Sequence, residues 1–230
     1  MAHIVFYNAT ELDKTQLTEA LQVTDHYWEY EDGKITIENC NPDAEIISVF
    51  TTSTVTREMI EAMPKLTLIA CRSTGFNHID LVAAEEHNVT VVNVPTYGDA
   101  TVAEYAFTML LALTRKMQEV LEVENERLVM PELTGQDLFG KTLGVIGTGH
   151  IGQRSIKIGK GFSMDVIACD KFHNDDAAHE LGFQYVELDE LLSRSDFITL
   201  HLPYNPETHH ILNEERMKAM KPGAIIVNTG

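Results

Sequence analysis

Basic residues are scarce in this 230-residue chain. Lysine and arginine together number 17 against 35 aspartates and glutamates, a formal net charge of −18. A surface this acidic repels phosphate backbones and anionic bilayers, which argues against a nucleic-acid or membrane partner. Any anionic ligand then needs a local cation or a set of backbone N–H groups. The charge also fits plain solubility or a salt-tolerant habitat. Cysteine is scarce too: Cys40, Cys71 and Cys169 are scattered, odd in number and without CxxC spacing. That pattern excludes a disulfide framework and a zinc site, implies no metal, and fits a reducing cytoplasm. No basic segment followed by an apolar run opens the chain, so no secretory leader is expected. The longest apolar stretch, around Ala106 to Leu113, falls far short of the roughly 20 residues that cross a bilayer.

What is present is a sufficient apolar fraction, 44%, arranged as short β-rich runs alternating with helical patterns. Strands are expected at His3–Asn8, Glu45–Phe50, Leu66–Cys71, Thr90–Val94, Thr142–Gly147, Asp165–Cys169, Phe183–Val186, Phe197–Leu200 and Ala224–Asn228. Helices are expected between most of them, among them Leu12–Leu21, Thr54–Ala62, Ile79–Glu86 and Gln153–Lys160. Strand runs that are apolar on both faces, separated by helices, predict α/β architecture with parallel sheets. One long helical pattern, about Thr101 to Arg127, separates two groups of strands, and a surface connection from Pro131 to Lys141 follows it. The expected division is a first domain over 1–99 and a second over 100–230.

The sharpest local signal follows Leu143-Gly144-Val145-Ile146, a buried-strand run. Gly147-Thr148-Gly149-His150-Ile151-Gly152 comes next and leads into a helical pattern, a GxGxxG sequence between strand and helix. In such a turn Gly147 permits the sharp bend, Gly149 lets a diphosphate approach the backbone, and Gly152 allows close helix–strand packing. The helix start at His150 and Ile151 offers unpaired N–H groups and the positive end of the helix dipole. The backbone of His150, rather than its ring, is the expected contact. The strand Asp165–Cys169 ends in Asp170, 18 residues beyond Gly152, where a ribose-binding carboxylate belongs. Asp170 accepts hydrogen bonds from ribose hydroxyls and repels a 2′-phosphate, which favours NAD over NADP; the adjacent Lys171 weakens that preference.

Together with other segments, this turn resembles the D-isomer-specific 2-hydroxyacid dehydrogenases, over nearly the whole chain and in the same order. The resemblance is carried by the lead-in Leu133-Thr134-Gly135-Gln136-Asp137-Leu138-Phe139-Gly140-Lys141 and by Arg72-Ser73-Thr74-Gly75-Phe76-Asn77-His78-Ile79-Asp80. It is carried also by Val94-Pro95-Thr96-Tyr97-Gly98, Thr101-Val102-Ala103-Glu104, Leu191-Leu192, Ser195-Asp196, His201-Leu202-Pro203, Thr208 and Ile211-Leu212-Asn213. It implies two doubly wound parallel-sheet α/β domains, a flavodoxin-like substrate domain and a Rossmann NAD-binding domain, both incomplete at the C-terminal end of this sequence. It further implies an active site in the interdomain cleft and a homodimer.

Site roles follow from the resemblance position by position. Thr74 and Gly75 match residues whose backbone N–H groups hold the substrate carboxylate, in keeping with amides at a helix start. Tyr97 matches a substrate-side position and reads equally as an aromatic packed at a hinge. Thr101 matches a residue near the cofactor and also suits the N-cap of the long helix, with Glu104 completing a capping box. Leu202 and Pro203 pass under the adenine or its ribose, Thr208 lies on the cofactor phosphate side, and Thr229 and Gly230 are carried over as cofactor-side residues. His201, His209 and His210 read as strand-end and loop residues rather than as bases.

In the family the run ending in Thr229-Gly230 continues into an arginine that binds the substrate carboxylate, followed later by a glutamate–histidine pair for proton transfer. None of the three is among these 230 residues, so negligible turnover is expected from them alone. The resemblance thus implies a D-2-hydroxyacid dehydrogenase of which this chain holds the cofactor-binding part. The alternative is a non-catalytic NAD-binding module that senses cofactor state or binds a partner. Phosphoglycerate, glycerate, formate and phosphite dehydrogenases share the frame; Tyr97 and the lack of a basic cluster favour a small substrate such as lactate.

Overall fold

The computed structural model describes residues 1–122 and 133–229. The expected end of the long helix at Arg127, the start of the connection at Pro131, and Gly230 lie outside the described residues. The chain divides into two compact units, Met1–Tyr97 and Gly98–Gly230.

The first unit alternates strands and helices: β1 (His3–Tyr7), α1 (Glu11–Leu21), β2 (Tyr27–Glu31), β3 (Ile46–Val49), α2 (Arg57–Glu61), β4 (Leu68–Cys71), α3 (Leu81–Glu86) and β5 (Thr90–Val92). The sheet order is β2-β1-β3-β4-β5 with every pair parallel. This is the flavodoxin-like doubly wound order, in which the strand order reverses between β1 and β3. Val5, Tyr7, Ile47, Val49, Ile69 and Cys71 from the strands pack with Ile60, Met63, Ala83 and Ala84 from the helical side, all buried. Strand β2 was not among the expected strands. Its sequence Tyr27-Trp28-Glu29-Tyr30-Glu31 mixes rings with acids, and as an edge strand paired only with β1 it has no fully buried residue.

The second unit opens with α4 (Asp99–Thr114) and α5 (Met117–Glu122), then runs β6 (Thr142–Ile146), α6 (His150–Gly161), β7 (Asp165–Cys169), α7 (Asp175–Leu181), β8 (Gln184–Tyr185), α8 (Leu188–Arg194), β9 (Phe197–Leu200), α9 (Glu214–Lys218) and β10 (Ile225–Asn228). The parallel sheet has the order β10-β9-β6-β7-β8, the Rossmann order, with its switch point between β6 and β9. Ile146 pairs with Cys169 on one side and Leu200 on the other. Strands β6, β7 and β9 therefore end level, and the loops after them emerge together. Helix α4 packs on α6, with Phe107 stacked on Phe162 at 5.9 Å between ring centroids.

The expected long helix is broken. Arg115 closes α4 by donating its N–H to the Leu111 carbonyl, and Lys116 takes a left-handed φ of 50° before α5 begins. The Thr114 carbonyl, freed by the break, accepts the Gln136 N–H at 2.8 Å. The helix also begins earlier than expected. Gly98 is its N-cap, so Thr101 lies inside the first turn and does not cap it.

Candidate dinucleotide site

The site is built where β6, β7 and β9 end. Helix α6 begins directly after Gly149, which serves as its N-cap without a side-chain hydrogen bond. The first-turn amides at His150 and Ile151 are therefore left without a capping side chain, a natural anion site. The three glycines differ in what they permit. Gly147 has φ +93°, and a Cβ there would strike the His201 carbonyl at the end of β9. A Cβ on Gly152 would strike the Gly147 carbonyl, so the helix can lie this close to β6 only with glycine. Gly149 has open space where a Cβ would be. The turn thus packs tightly on its protein side and leaves an open approach over Gly149, which fits a bound diphosphate.

Asp170 stands beside this turn and is hydrogen-bonded to it. Its Oδ2 accepts from the Thr148 N–H at 2.5 Å and from the Thr148 hydroxyl at 3.0 Å, and its Oδ1 accepts from the Phe172 N–H at 2.9 Å. Burial works against the charged form, but the Phe172 and Thr148 amides outweigh it and hold the carboxyl below its usual range. The Lys171 N–H also favours the charged form, so the roughly four acceptor positions of the carboxylate are each approached by a donor, and a sugar hydroxyl would share one of them. The Thr148 hydroxyl also lies 2.9 Å from the Tyr185 hydroxyl, which accepts the Asn174 N–H at 3.1 Å. Thr148 and Tyr185 were not among the expected residues. Thr148 is one of the variable positions of the GxGxxG pattern, and Tyr185 carries no motif.

The loop after β9 supplies the opposite side. Leu202, Pro203 and Thr208 line a small cavity of about 90 Å³ with Leu200, Tyr204, Ile211 and Asn228. The Thr208 hydroxyl donates to the Pro203 carbonyl at 2.6 Å and accepts the Asn205 N–H at 2.9 Å, so it closes the loop upon itself. Thr229 follows β10, and its hydroxyl lies 3.0 Å from His201 Nδ1. On the other edge of that ring, Nε2 lies 2.9 Å from the Ser155 hydroxyl and 3.0 Å from the Thr199 hydroxyl. Burial pushes the His201 pKa down to about 4, so the ring is neutral at pH 7. His201 therefore joins α6, β9 and the end of β10, a connection with no local sequence signal. The His150 ring is exposed, with Nδ1 3.8 Å from Asp99 in the first turn of α4.

Thr74, Gly75 and Tyr97 belong to the first unit. Thr74 and Gly75 are not at a helix start: α3 begins only at Leu81, capped by Asp80, whose side chain accepts the Ala83 N–H. The segment is instead a loop held by side chains. Ser73 Oγ donates to the Gly75 carbonyl at 2.7 Å, Thr74 Oγ1 to the Val94 carbonyl at 2.9 Å, and Asn93 Nδ2 to the Thr74 carbonyl at 2.8 Å. Arg72 precedes it and binds the Tyr7 and Asn8 carbonyls and the Ser48 hydroxyl, tying the ends of β1, β3 and β4. Tyr97 is 60% exposed, so it is not packed as a core aromatic.

A parallel sheet of Rossmann order, with a glycine turn at its switch point and a fixed carboxylate at the end of the next strand, defines a dinucleotide-binding domain. Residues 107–230 match the family described as D-isomer specific 2-hydroxyacid dehydrogenase, NAD binding domain. Over 231 residues the chain is 37% identical to the D-lactate dehydrogenase of Escherichia coli K12, covering 98% of this chain and 70% of that protein. A 2-hydroxyacid dehydrogenase homolog of Haemophilus influenzae is 41% identical over 188 residues, 80% of this chain and 56% of the relative. The solved D-lactate dehydrogenase of Aquifex aeolicus, complexed with NAD and lactic acid, superposes with a TM-score of 0.85 at 36% identity, covering 99% of this chain and 68% of that one. The chain belongs to the D-isomer specific 2-hydroxyacid dehydrogenase family, whose cofactor is NAD. It spans 56% and 70% of the length of the two relatives just named. Among the described residues no helix is long and apolar enough to cross a membrane.

Proposed function

We propose that the whole enzyme transfers hydride between a nicotinamide and a small D-2-hydroxy acid or its 2-keto acid, of the lactate/pyruvate kind, and that this chain supplies the part that holds the cofactor. The observation that carries the reading is the pairing of an open Gly149 backbone at the start of α6 with the Asp170 carboxylate fixed beside it. In this reading the amides after Gly149, at His150 and Ile151, with the close packing at Gly147 and Gly152, hold the diphosphate. Asp170 takes the adenosine ribose. Leu202 and Pro203 lie against the adenine or its sugar, and Thr208 shapes the phosphate side. Thr101, Thr229 and Gly230 belong to the cofactor side, and Thr74, Gly75 and Tyr97 to the substrate side.

NADH, when bound, supplies the hydride; the protein supplies position and charge. The proton-transfer histidine, its glutamate partner and the carboxylate-binding arginine of the family are not among residues 1–230. The reading therefore assigns these residues cofactor binding with negligible turnover by themselves. The lactate preference is supported by the D-lactate dehydrogenases of Escherichia coli and Aquifex aeolicus. Glyoxylate reductases and a phosphoglycerate dehydrogenase among the relatives define the competing substrates. A cytoplasmic homodimer is part of the proposal; exposed Tyr105, Leu113 and Leu121 on α4 and α5 are apolar surface suited to pairing.

The test has two arms. Calorimetry with NADH reads cofactor binding, and a steady-state assay with pyruvate, glyoxylate and hydroxypyruvate at high protein concentration reads turnover. Binding without turnover is expected; robust turnover would show the catalytic group to be misassigned.

A further inference from the structure

Lys171 follows the ribose carboxylate directly, and a lysine there is the cation a 2′-phosphate would seek. Its ammonium is already engaged. Nζ donates to both carboxylate oxygens of Glu207, at 3.0 and 2.8 Å, and lies 5.8 Å from the Phe172 ring centroid. Glu207 is itself placed by its loop: its N–H donates to Asn205 Oδ1 at 2.9 Å, in the turn that the Thr208 hydroxyl closes. The ion pair therefore spans from the loop after β7 to the loop after β9, the two segments that flank the glycine turn.

We propose that Glu207 is a specificity-determining residue, which keeps Lys171 occupied and so keeps the adenosine end of the site closed to a 2′-phosphorylated dinucleotide. The inference rests on the reading of Asp170 as the ribose carboxylate. The charges close to the sugar explain the effect. Asp170, Lys171 and Glu207 sum to one negative charge, and a 2′-phosphate adds nearly two more. Without Glu207 the lysine is free to turn to that phosphate and balance Asp170. With Glu207 in place the phosphate must displace a carboxylate to reach Lys171. An unphosphorylated ribose makes no demand on Lys171 and is indifferent to the pair. Both side chains are more than half exposed, so the effect belongs to specificity rather than to folding.

The experiment is calorimetry of the full 230-residue chain with NADH and with NADPH, at low and at physiological salt. It compares the parent, Glu207→Ala, Lys171→Met and the double variant, with a thermal melt to establish folding. Removing one facing carboxylate is expected to strengthen NADPH binding roughly tenfold at low salt, and less at high salt, because exposed charges are screened. NADH affinity is expected to stay within about twofold of the parent, as an interaction confined to the 2′ position requires. The double variant is expected to lose the gain. A folded Glu207→Ala chain that binds NADH normally but keeps the parent NADPH:NADH ratio overturns the inference, as does a gain that persists in the double variant. A folded parent that binds neither dinucleotide overturns the site reading itself, and the inference with it.

Discussion

Asp170 is tied to the glycine turn through Thr148: the backbone N–H and the hydroxyl of one residue both donate to the same carboxylate oxygen, at 2.5 and 3.0 Å. The acid expected to grip a sugar is thus also a strut between the ends of β6 and β7. Thr148→Val removes the hydroxyl and keeps the amide. Loss of one such bond is expected to cost about 1 kcal/mol of stability and to weaken NADH binding only a few fold. Asp170→Ala removes the acceptor for these donors and the sugar contact together. It is expected to weaken NADH binding at least about tenfold, the scale of a charge-assisted hydrogen bond. Equal effects of the two variants on NADH would contradict this division of labour.

The glycine turn separates folding from binding. Gly152→Ala places a methyl against the Gly147 carbonyl, and Gly147→Ala combines a clash at the His201 carbonyl with a left-handed φ. Gly152→Ala is expected to cost about 1 to 3 kcal/mol, the range for overpacking, and Gly147→Ala about 2 to 4 kcal/mol, because backbone strain adds to the clash. Gly149→Ala meets no neighbour. Its stability is expected to stay within about 1 kcal/mol of the parent, while NADH affinity drops because the methyl fills the approach to the amides. Urea unfolding and NADH titration of the three variants check the contrast; a Gly149→Ala chain that binds normally would remove the diphosphate from this turn.

His201 gives the second unit a pH dependence of definite sign. Burial lowers its folded-state pKa from 6.5 to about 4, so between those values the unfolded chain binds the extra proton. Stability therefore rises with pH across that window, and it is lost as the pH falls from about 6.5 towards 4. His78, also lowered by burial, acts in the same direction in the first unit. Asp170 and Asp196, whose pKa values are depressed, lose their contribution in the more acidic carboxylate range. The His201 contribution is on the order of 3 kcal/mol across the window. The single tryptophan, Trp28, sits on β2 in the first unit, so its fluorescence is the wrong probe. Hydrogen exchange of β9 and α6 amides between pH 4.5 and 7 is the suitable measurement. His201→Gln is expected to flatten the dependence; an unchanged slope in that variant would assign it elsewhere.

Much of the fold was legible because its strands are apolar on both faces. Asp165–Cys169 and Phe197–Leu200 have the bounds expected of them, and the glycine turn lies between β6 and α6 as its context required. Strand β2 escaped because an edge strand half in solvent can be built from tyrosines and glutamates. The break after α4 escaped because it is made by Lys116 in a left-handed conformation and by a carbonyl that finds its partner at Gln136, 22 residues on. The helix expected from Ile79 begins at Leu81, capped by Asp80, but the expectation of helix-start amides at Thr74 and Gly75 missed the side-chain hydrogen bonds that organise that segment as a loop. Within the site, Asp170 was visible from its spacing. Its partners Thr148 and Tyr185, and the links from His201 to Ser155 and Thr229, are contacts between distant segments that no local pattern encodes.

The central claim is that the Gly147–Gly152 turn and Asp170 hold a dinucleotide. The direct measurement is isothermal calorimetry of NADH into the folded chain, with Gly149→Val as the control. The account predicts one site per chain for the parent and no heat of binding for the variant, with a thermal melt showing that both proteins are folded. A folded parent chain that releases no heat with NADH or NAD, or a Gly149→Val chain that binds as well as the parent, would contradict it.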